Sequence, residues 1–93
     1  MEKEIQRRLQ AALNIHHLEL INDSHKHRSH HEALKHRGGH YFLLIVSNDF
    51  NDLNSLKRHR KIHEILNDLL KSEIHALGIK AYTVEEYRKA QSV

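Results

Sequence analysis

Residues 56–63 read Leu-Lys-Arg-His-Arg-Lys-Ile-His, and residues 74–81 read Ile-His-Ala-Leu-Gly-Ile-Lys-Ala. The first stretch lies in a longer segment, residues 54–71, in which apolar residues recur at the three- and four-residue spacing of a helix. In the second stretch, apolar residues alternate with glycine and lysine at the two-residue period of a strand. The sequence therefore predicts a long helix followed by a strand.

The rest of the chain supplies two more helices and two more strands. Residues 5–13 place apolar side chains on one helical face, residues 17–21 favour a strand, and residues 41–46 are continuously apolar, as in a central strand. Thr83 and Glu86 have the spacing of a capping box that begins a terminal helix. The order α-β-β-α-β-α predicts an α+β fold, in which helices pack on one face of a three-stranded sheet.

Size and composition limit the classes of protein. The 93 residues suffice for one small domain, residues 1–93. The chain has no cysteine, so any protein ligand that it offers to a metal must be nitrogen or oxygen. A cysteine-free chain fits a reducing compartment, and we expect a cytoplasmic location, with a nuclear or organellar one left open for a eukaryotic source. No apolar run reaches the ~18–20 residues of a membrane-spanning helix, so no membrane partner is expected. We expect the isolated chain to be a monomer.

Eleven histidines are the main anomaly of the composition. Several lie in a polar segment, residues 24–39, which has no apolar period and ends in two glycines, so the sequence predicts a long histidine-rich loop. The histidines in this segment are His25, His27, His30, His31 and His36. Such a loop could bind zinc or nickel weakly, whereas structural zinc sites usually have four ordered ligands. A histidine-rich metal buffer is therefore one alternative function.

The sequence resembles the BolA family over nearly its whole length. Arg58-His59-Arg60 and His75-Ala76-Leu77 match the "RHR" of that family's main helix and the "HAL" of the strand that follows. Further matches lie in residues 18–24, 39–42, 46–47 and 83–87. The resemblance implies the element order given above, an arrangement similar to the type II KH fold.

The resemblance also implies a cofactor and a partner. BolA-like proteins use the "HAL" histidine, here His75, to hold a [2Fe–2S] cluster that they share with a monothiol glutaredoxin. The second ligand of the family lies in the loop after the first strand, and the matching residue is His27. The loop is longer than is usual in the family, so the alternatives His25, His30, His31, His36 and His40 remain open. The thiolates would come from the glutaredoxin and its bound glutathione, and the two imidazoles would make the cluster Rieske-like.

The basic run at residues 57–61 has three interpretations. Short basic runs are often solvated faces of helices. The side chains of Lys57, Arg58, Arg60 and Lys61 could instead contact an acidic partner or glutathione, or they could contact the phosphates of DNA. Some bacterial BolA-like proteins are thought to regulate transcription, although the phosphate-clamping GXXG loop of true KH domains is absent from this sequence.

No enzyme signature is present in the sequence. It has no cysteine nucleophile, P-loop, dinucleotide-binding glycine pattern or serine elbow. We therefore expect a non-enzymatic accessory protein that pairs with a monothiol glutaredoxin in iron–sulfur cluster trafficking or iron regulation. A DNA-binding transcriptional regulator is the alternative from a different class.

Overall fold

The computed structural model describes residues 1–23 and 39–92. In these ranges four α-helices and three strands follow one another, with a 3-10 turn after the second strand: α1 (Glu2–Ala12), β1 (Ile15–Asn22), β2 (Gly39–Ser47), the turn Asn48–Phe50, α2 (Ser55–Ile65), α3 (Asn67–Ser72), β3 (Ile74–Tyr82) and α4 (Val84–Gln91). The predicted α+β class is confirmed. Residues 24–38 of the predicted loop lie outside the described residues, and Gly39 begins β2.

The second strand is the centre of the sheet, as the sequence predicted. β1 pairs with one side of β2 in the antiparallel sense, and β3 pairs with its other side in the parallel sense. Leu43 and Ile45 of β2 are fully buried in the core, whereas Phe42 and Leu44 are half-buried on the opposite face. A central strand that buries side chains on both faces explains the continuous apolar run.

The main core lies between the sheet and the first three helices. Fully buried side chains from these helices and the central strand join in one cluster, which includes Ile5, Leu9, Leu43, Ile45, Ile62 and Leu66. Burying each such side chain contributes about 1.5–3 kcal/mol. The apolar stripes that were read from the sequence therefore meet in a single core.

The predicted long helix over residues 54–71 is divided into α2 and α3. The break is at Leu66, whose φ of −102° and ψ of 13° depart from helical values while its side chain stays fully buried. Asn54 is the N-cap of α2, since its Oδ1 accepts from the Lys57 amide at 2.9 Å. Asp52 lies in the preceding turn with a φ of 66°.

Ser47 joins three parts of the chain at the end of β2. Its buried hydroxyl donates to the Asn14 carbonyl at 2.8 Å and accepts from the Asp49 amide at 3.1 Å. The Asp49 carboxylate in turn accepts from the Asn14 amide at 2.8 Å, and Asn48 Oδ1 accepts from the Val84 amide at 3.2 Å. These bonds attach the α1–β1 connection and the start of α4 to the end of β2.

The predicted capping box at the start of α4 is confirmed. Thr83 Oγ1 accepts from the Glu86 amide at 3.2 Å, and the Glu86 carboxylate accepts from the Thr83 amide at 2.8 Å. This exchange satisfies two backbone donors that a helix N-terminus would otherwise leave without a helical partner.

The terminal helix covers one end of the sheet's opposite face. The Tyr87 ring lies 5.3 Å from the ring of His17 and 6.2 Å from the ring of Tyr82. His17 and Tyr82 flank Val46 in the strand register, and Val46 is fully buried. The helices that build the main core thus lie on one face, as predicted, and α4 closes the end of the other.

Candidate functional site

His75 lies where β3 departs from regular pairing with β2. Gly39 pairs with Ile74 and His40 pairs with Ala76, so His75 is an extra residue in a β-bulge. The Ile74 side chain is buried in the core, whereas His75 is exposed. Bulges commonly re-aim side chains next to functional sites. The bulge thus presents the His75 ring on the surface.

The bulge brings His75 next to His40. Their ring centroids are 4.9 Å apart, with the ring planes tilted by 43°, and His40 is half-buried. The Gly39 amide donates to the Glu73 carbonyl at 2.9 Å, which holds the starts of β2 and β3 together. The sequence offered His40 only as an alternative ligand, because a register shift between two strands cannot be read from either strand alone.

The loop histidines lie outside the described residues, so the structure does not place His25, His27, His30, His31 or His36. The residues that border this segment are nevertheless close to the histidine pair. Asp23 donates its amide to the His40 carbonyl at 2.9 Å, and Gly39 directly precedes His40. The two residues that flank this segment, Asp23 and Gly39, therefore both lie beside His40.

The side chains of the described residues can be compared with the ligand sets of known metal sites. Within residues 1–23 and 39–92, no group of three or more histidine, cysteine, aspartate or glutamate side chains is arranged to hold a metal ion. His75 and His40 can offer two imidazole nitrogens, and the chain has no thiolate. This donor set fits the imidazole half of a Rieske-type [2Fe–2S] cluster, in which two histidines bind one iron and thiolates bind the other.

Arg58, one of the four predicted contact residues, is held inside the fold. Its guanidinium donates to the carbonyl oxygens of Leu53 and Ala81 at 2.8 and 3.0 Å. It also forms two hydrogen bonds to the Glu86 carboxylate, at 2.6 and 3.1 Å, and lies 5.9 Å from the centroid of the Phe50 ring. Only 13% of the side chain is exposed.

The other members of the basic run remain closer to solvent. Lys57 and Arg60 are exposed on α2, and Lys61 is half-buried. The charge that α2 offers to a partner therefore comes mainly from Lys57 and Arg60.

The sequence and the fold can be compared with those of known proteins. A family model described as BolA-like protein matches residues 9–86. The chain belongs to the BolA-like family. The DNA-binding transcriptional regulator BolA of Haemophilus influenzae is 35% identical to it over 94 residues, which cover 99% of this chain and 84% of the relative. The resemblance seen in the sequence is thus confirmed.

Solved BolA structures share this fold. The BolA domain of SufE1 from Arabidopsis thaliana has a TM-score of 0.77 and 37% identity, with 90% of this chain and 92% of that chain covered. BolA1 from Arabidopsis thaliana has a TM-score of 0.79 and 30% identity, with 92% of this chain and 94% of that chain covered.

BolA-like proteins form a regulatory and accessory family. No helix in the described part of the chain is both long and apolar enough to span a membrane.

The Arg58–Glu86 ion pair generates a pH prediction. The Arg58 guanidinium, followed by the Thr83 amide, lowers the pKa of Glu86 from 4.5 to about 2. Because the pKa is lower in the folded state, the stabilisation is present above pH 4.5 and is lost as the pH falls towards about 2. We expect Glu86→Gln to lower the free energy of unfolding at pH 7 by about 1 kcal/mol, a modest value because the carboxylate is partly exposed.

Urea denaturation at constant ionic strength, followed by far-UV circular dichroism, measures this difference at each pH. The matched control is Glu85→Gln, which removes an exposed carboxylate on the same helix, 3.3 Å from Lys89, and should change stability by less than about 0.5 kcal/mol. The difference between wild type and Glu86→Gln should vanish near pH 2. If the difference in the free energy of unfolding between wild type and Glu86→Gln stayed constant between pH 7 and pH 2, the stabilising role of the Arg58–Glu86 ion pair would be contradicted.

Proposed function

We propose that this protein is an accessory partner of a monothiol glutaredoxin and completes a shared [2Fe–2S] cluster in iron–sulfur trafficking or iron regulation. The observation that carries the proposal is the exposed His75 on its β-bulge, 4.9 Å from His40 between ring centroids. Membership in the BolA-like family supports the same proposal. The proposal covers the partner, the cluster and the ligand residues.

His75 is the first ligand in this proposal. His27 is the second by its match to the family's loop position, and His40 is a described histidine whose ring centroid lies 4.9 Å from that of His75. The neighbouring alternatives are His25, His30, His31 and His36. One of these rings together with His75 would give the two nitrogens that a Rieske-type iron requires.

The remaining ligands must come from the partner, because this chain has no cysteine. In the proposed complex, the glutaredoxin cysteine and a bound glutathione supply the two thiolates. The cluster supplies transferable iron and sulfide, or a redox signal, when it is bound. From this chain, His75 at the start of β3 would supply one imidazole, and His27 or His40 would supply the other. Since imidazole binds metal only in its neutral form, the complex should form better at neutral than at acidic pH.

The alternative proposal is a DNA-binding regulator. Two observations favour it: the exposed charges of Lys57 and Arg60 on α2, and the similarity to the DNA-binding transcriptional regulator BolA of Haemophilus influenzae. The internal bonds of Arg58 weaken it, because that guanidinium already has three acceptor groups. With two or three phosphate contacts, a plot of the logarithm of the DNA-binding constant against the logarithm of the salt concentration should have a slope of about −2 to −3.

The assignment of His75 and a second histidine as cluster ligands can be tested by forming the shared cluster in a titration. We expect an anaerobic titration of the protein into a glutathione-ligated, cluster-bearing monothiol glutaredoxin to give a new visible circular dichroism spectrum that saturates at a ratio of one to one. His75→Ala should abolish the new spectrum, because one iron then lacks an imidazole ligand. Whichever of His27→Ala and His40→Ala abolishes the spectrum identifies the second ligand.

The matched control is His16→Ala, since His16 is also exposed and also lies in a β-bulge, but on β1. It should leave the spectrum unchanged, and far-UV circular dichroism confirms that each variant is folded. A wild-type spectrum from the His75→Ala variant would refute the proposed ligand.

DNA binding can be tested with two double variants that change the net charge by the same amount at different places on the surface. If α2 contacts phosphates, Lys57→Glu combined with Arg60→Glu should abolish the binding of labelled duplex DNA in fluorescence anisotropy. Lys3→Glu combined with Lys71→Glu, at exposed positions on other helices, should retain it. Equal losses in the two double variants would mean that binding is non-specific, and the regulator proposal would then fail.

A further inference from the structure

The outer edge of β1 presents backbone groups without a strand partner in the described part of the chain, where β1 pairs only with β2. Asp23 donates its amide to the His40 carbonyl, so the backbone groups of Asp23 face β2. In an antiparallel ladder, residues that bond inward alternate with residues that face outward. The N–H and C=O groups of Leu20 and Leu18, which are one step out of phase with Asp23, therefore face the outer edge.

A polar groove runs beside this edge, between α1 and β1. Its α1 wall is formed by Gln6, Gln10 and Leu13, and its β1 wall is formed by residues 14–18. Gln10 is exposed and Gln6 is half-buried. Glutamine amides both donate and accept hydrogen bonds, so the α1 wall suits polar side chains.

The other edge strand is partly occupied. β3 lies against α3, and the Arg58 guanidinium already binds the Ala81 carbonyl at 3.0 Å. Exposed edges with unpaired backbone groups are templates for strand addition. The β1 edge, by contrast, has the groove beside it.

We propose that β1 binds an extended peptide segment of another protein, which adds to the sheet as a fourth strand in the groove between α1 and β1. Main-chain hydrogen bonds to Leu18 and Leu20 would hold the segment, as in other cases of strand addition. The inference does not depend on the cluster site.

The side chains beside the edge set a sequence preference. Glu19 and Ile21 are exposed on the face opposite the main core, and Glu19 Oε2 lies 2.7 Å from His17 Nε2. A segment added to β1 alternates its side chains between this face and the glutamine wall. A basic residue beside Glu19 and an apolar residue beside Ile21, with polar residues between them, complement the surface.

The probe is a terminally blocked, fluorescein-labelled peptide of two Thr-Lys-Thr-Val repeats, titrated with the full chain and followed by anisotropy. In a parallel NMR titration, we expect saturable downfield shifts and slower solvent exchange of the Leu18 and Leu20 amides. Glu19→Lys should weaken binding by up to about fivefold, since one cross-strand charge pair contributes up to about 1 kcal/mol. A peptide with glutamate in place of lysine should recover that loss.

Two further variants complete the test. Glu85→Lys makes the same charge change on α4 and should not alter the affinity, and Gln10→Trp should block the groove without entering the core. Shifts that miss Leu18 and Leu20, or equal effects of Glu19→Lys and Glu85→Lys, would overturn the proposal. Concentration-dependent shifts of these two amides without peptide would assign the edge to self-association and would also overturn it.

Discussion

The Arg58 guanidinium is the contact on which the arrangement of α2, β3 and α4 depends. It binds carbonyl oxygens of Leu53 and Ala81 and the carboxylate of Glu86, so it joins the start of α2 to the end of β3 and the first turn of α4. A mostly buried guanidinium without partners would cost several kcal/mol. Its planar fork serves all three groups at once, which a lysine ammonium could not do with the same geometry.

The Arg58 contacts and the His40–His75 pair lie at opposite ends of β3. The strand runs for nine residues from Ile74 to Tyr82, which corresponds to roughly 26 Å. At the Tyr82 end, Arg58 and the hydrogen bonds of Ser47 fix the elements to one another. At the Ile74 end, the bulge exposes His75 beside His40. The sheet thus presents the candidate ligands His75 and His40 at one end, away from the Arg58 and Ser47 contacts at the other.

The sequence predicted most of the fold because its apolar periods report burial directly. The stripe of α1, the continuous run of β2 and the capping box at Thr83 are all local patterns, and each was found where it was predicted. The break at Leu66 could not be predicted, since apolar spacing continues across it and no glycine or proline marks it. Periodicity shows which residues are buried, but it does not show whether the backbone between them is continuous.

The features that the sequence did not reveal depend on contacts between distant segments. Arg58 looks like its basic neighbours until α4 brings Glu86, 28 residues further along the chain, to its side chain. The pairing of His40 with His75 depends on a bulge, which is a property of two strands in register. His75 itself was found through its motif. Both cluster ligands stay predictions, and His27 lies outside the described residues.

The most direct test of the proposed cluster site is pulsed electron paramagnetic resonance of the reduced, glutaredoxin-bridged cluster, prepared with this chain carrying ¹⁵N-labelled histidine and an unlabelled partner. We expect ¹⁵N couplings from two directly bound histidine nitrogens, both of them absent when His75 is replaced by alanine, because that variant should not form the shared cluster. A cluster without ¹⁵N coupling would show that this chain does not bind the iron, and it would contradict the assignment of both ligands.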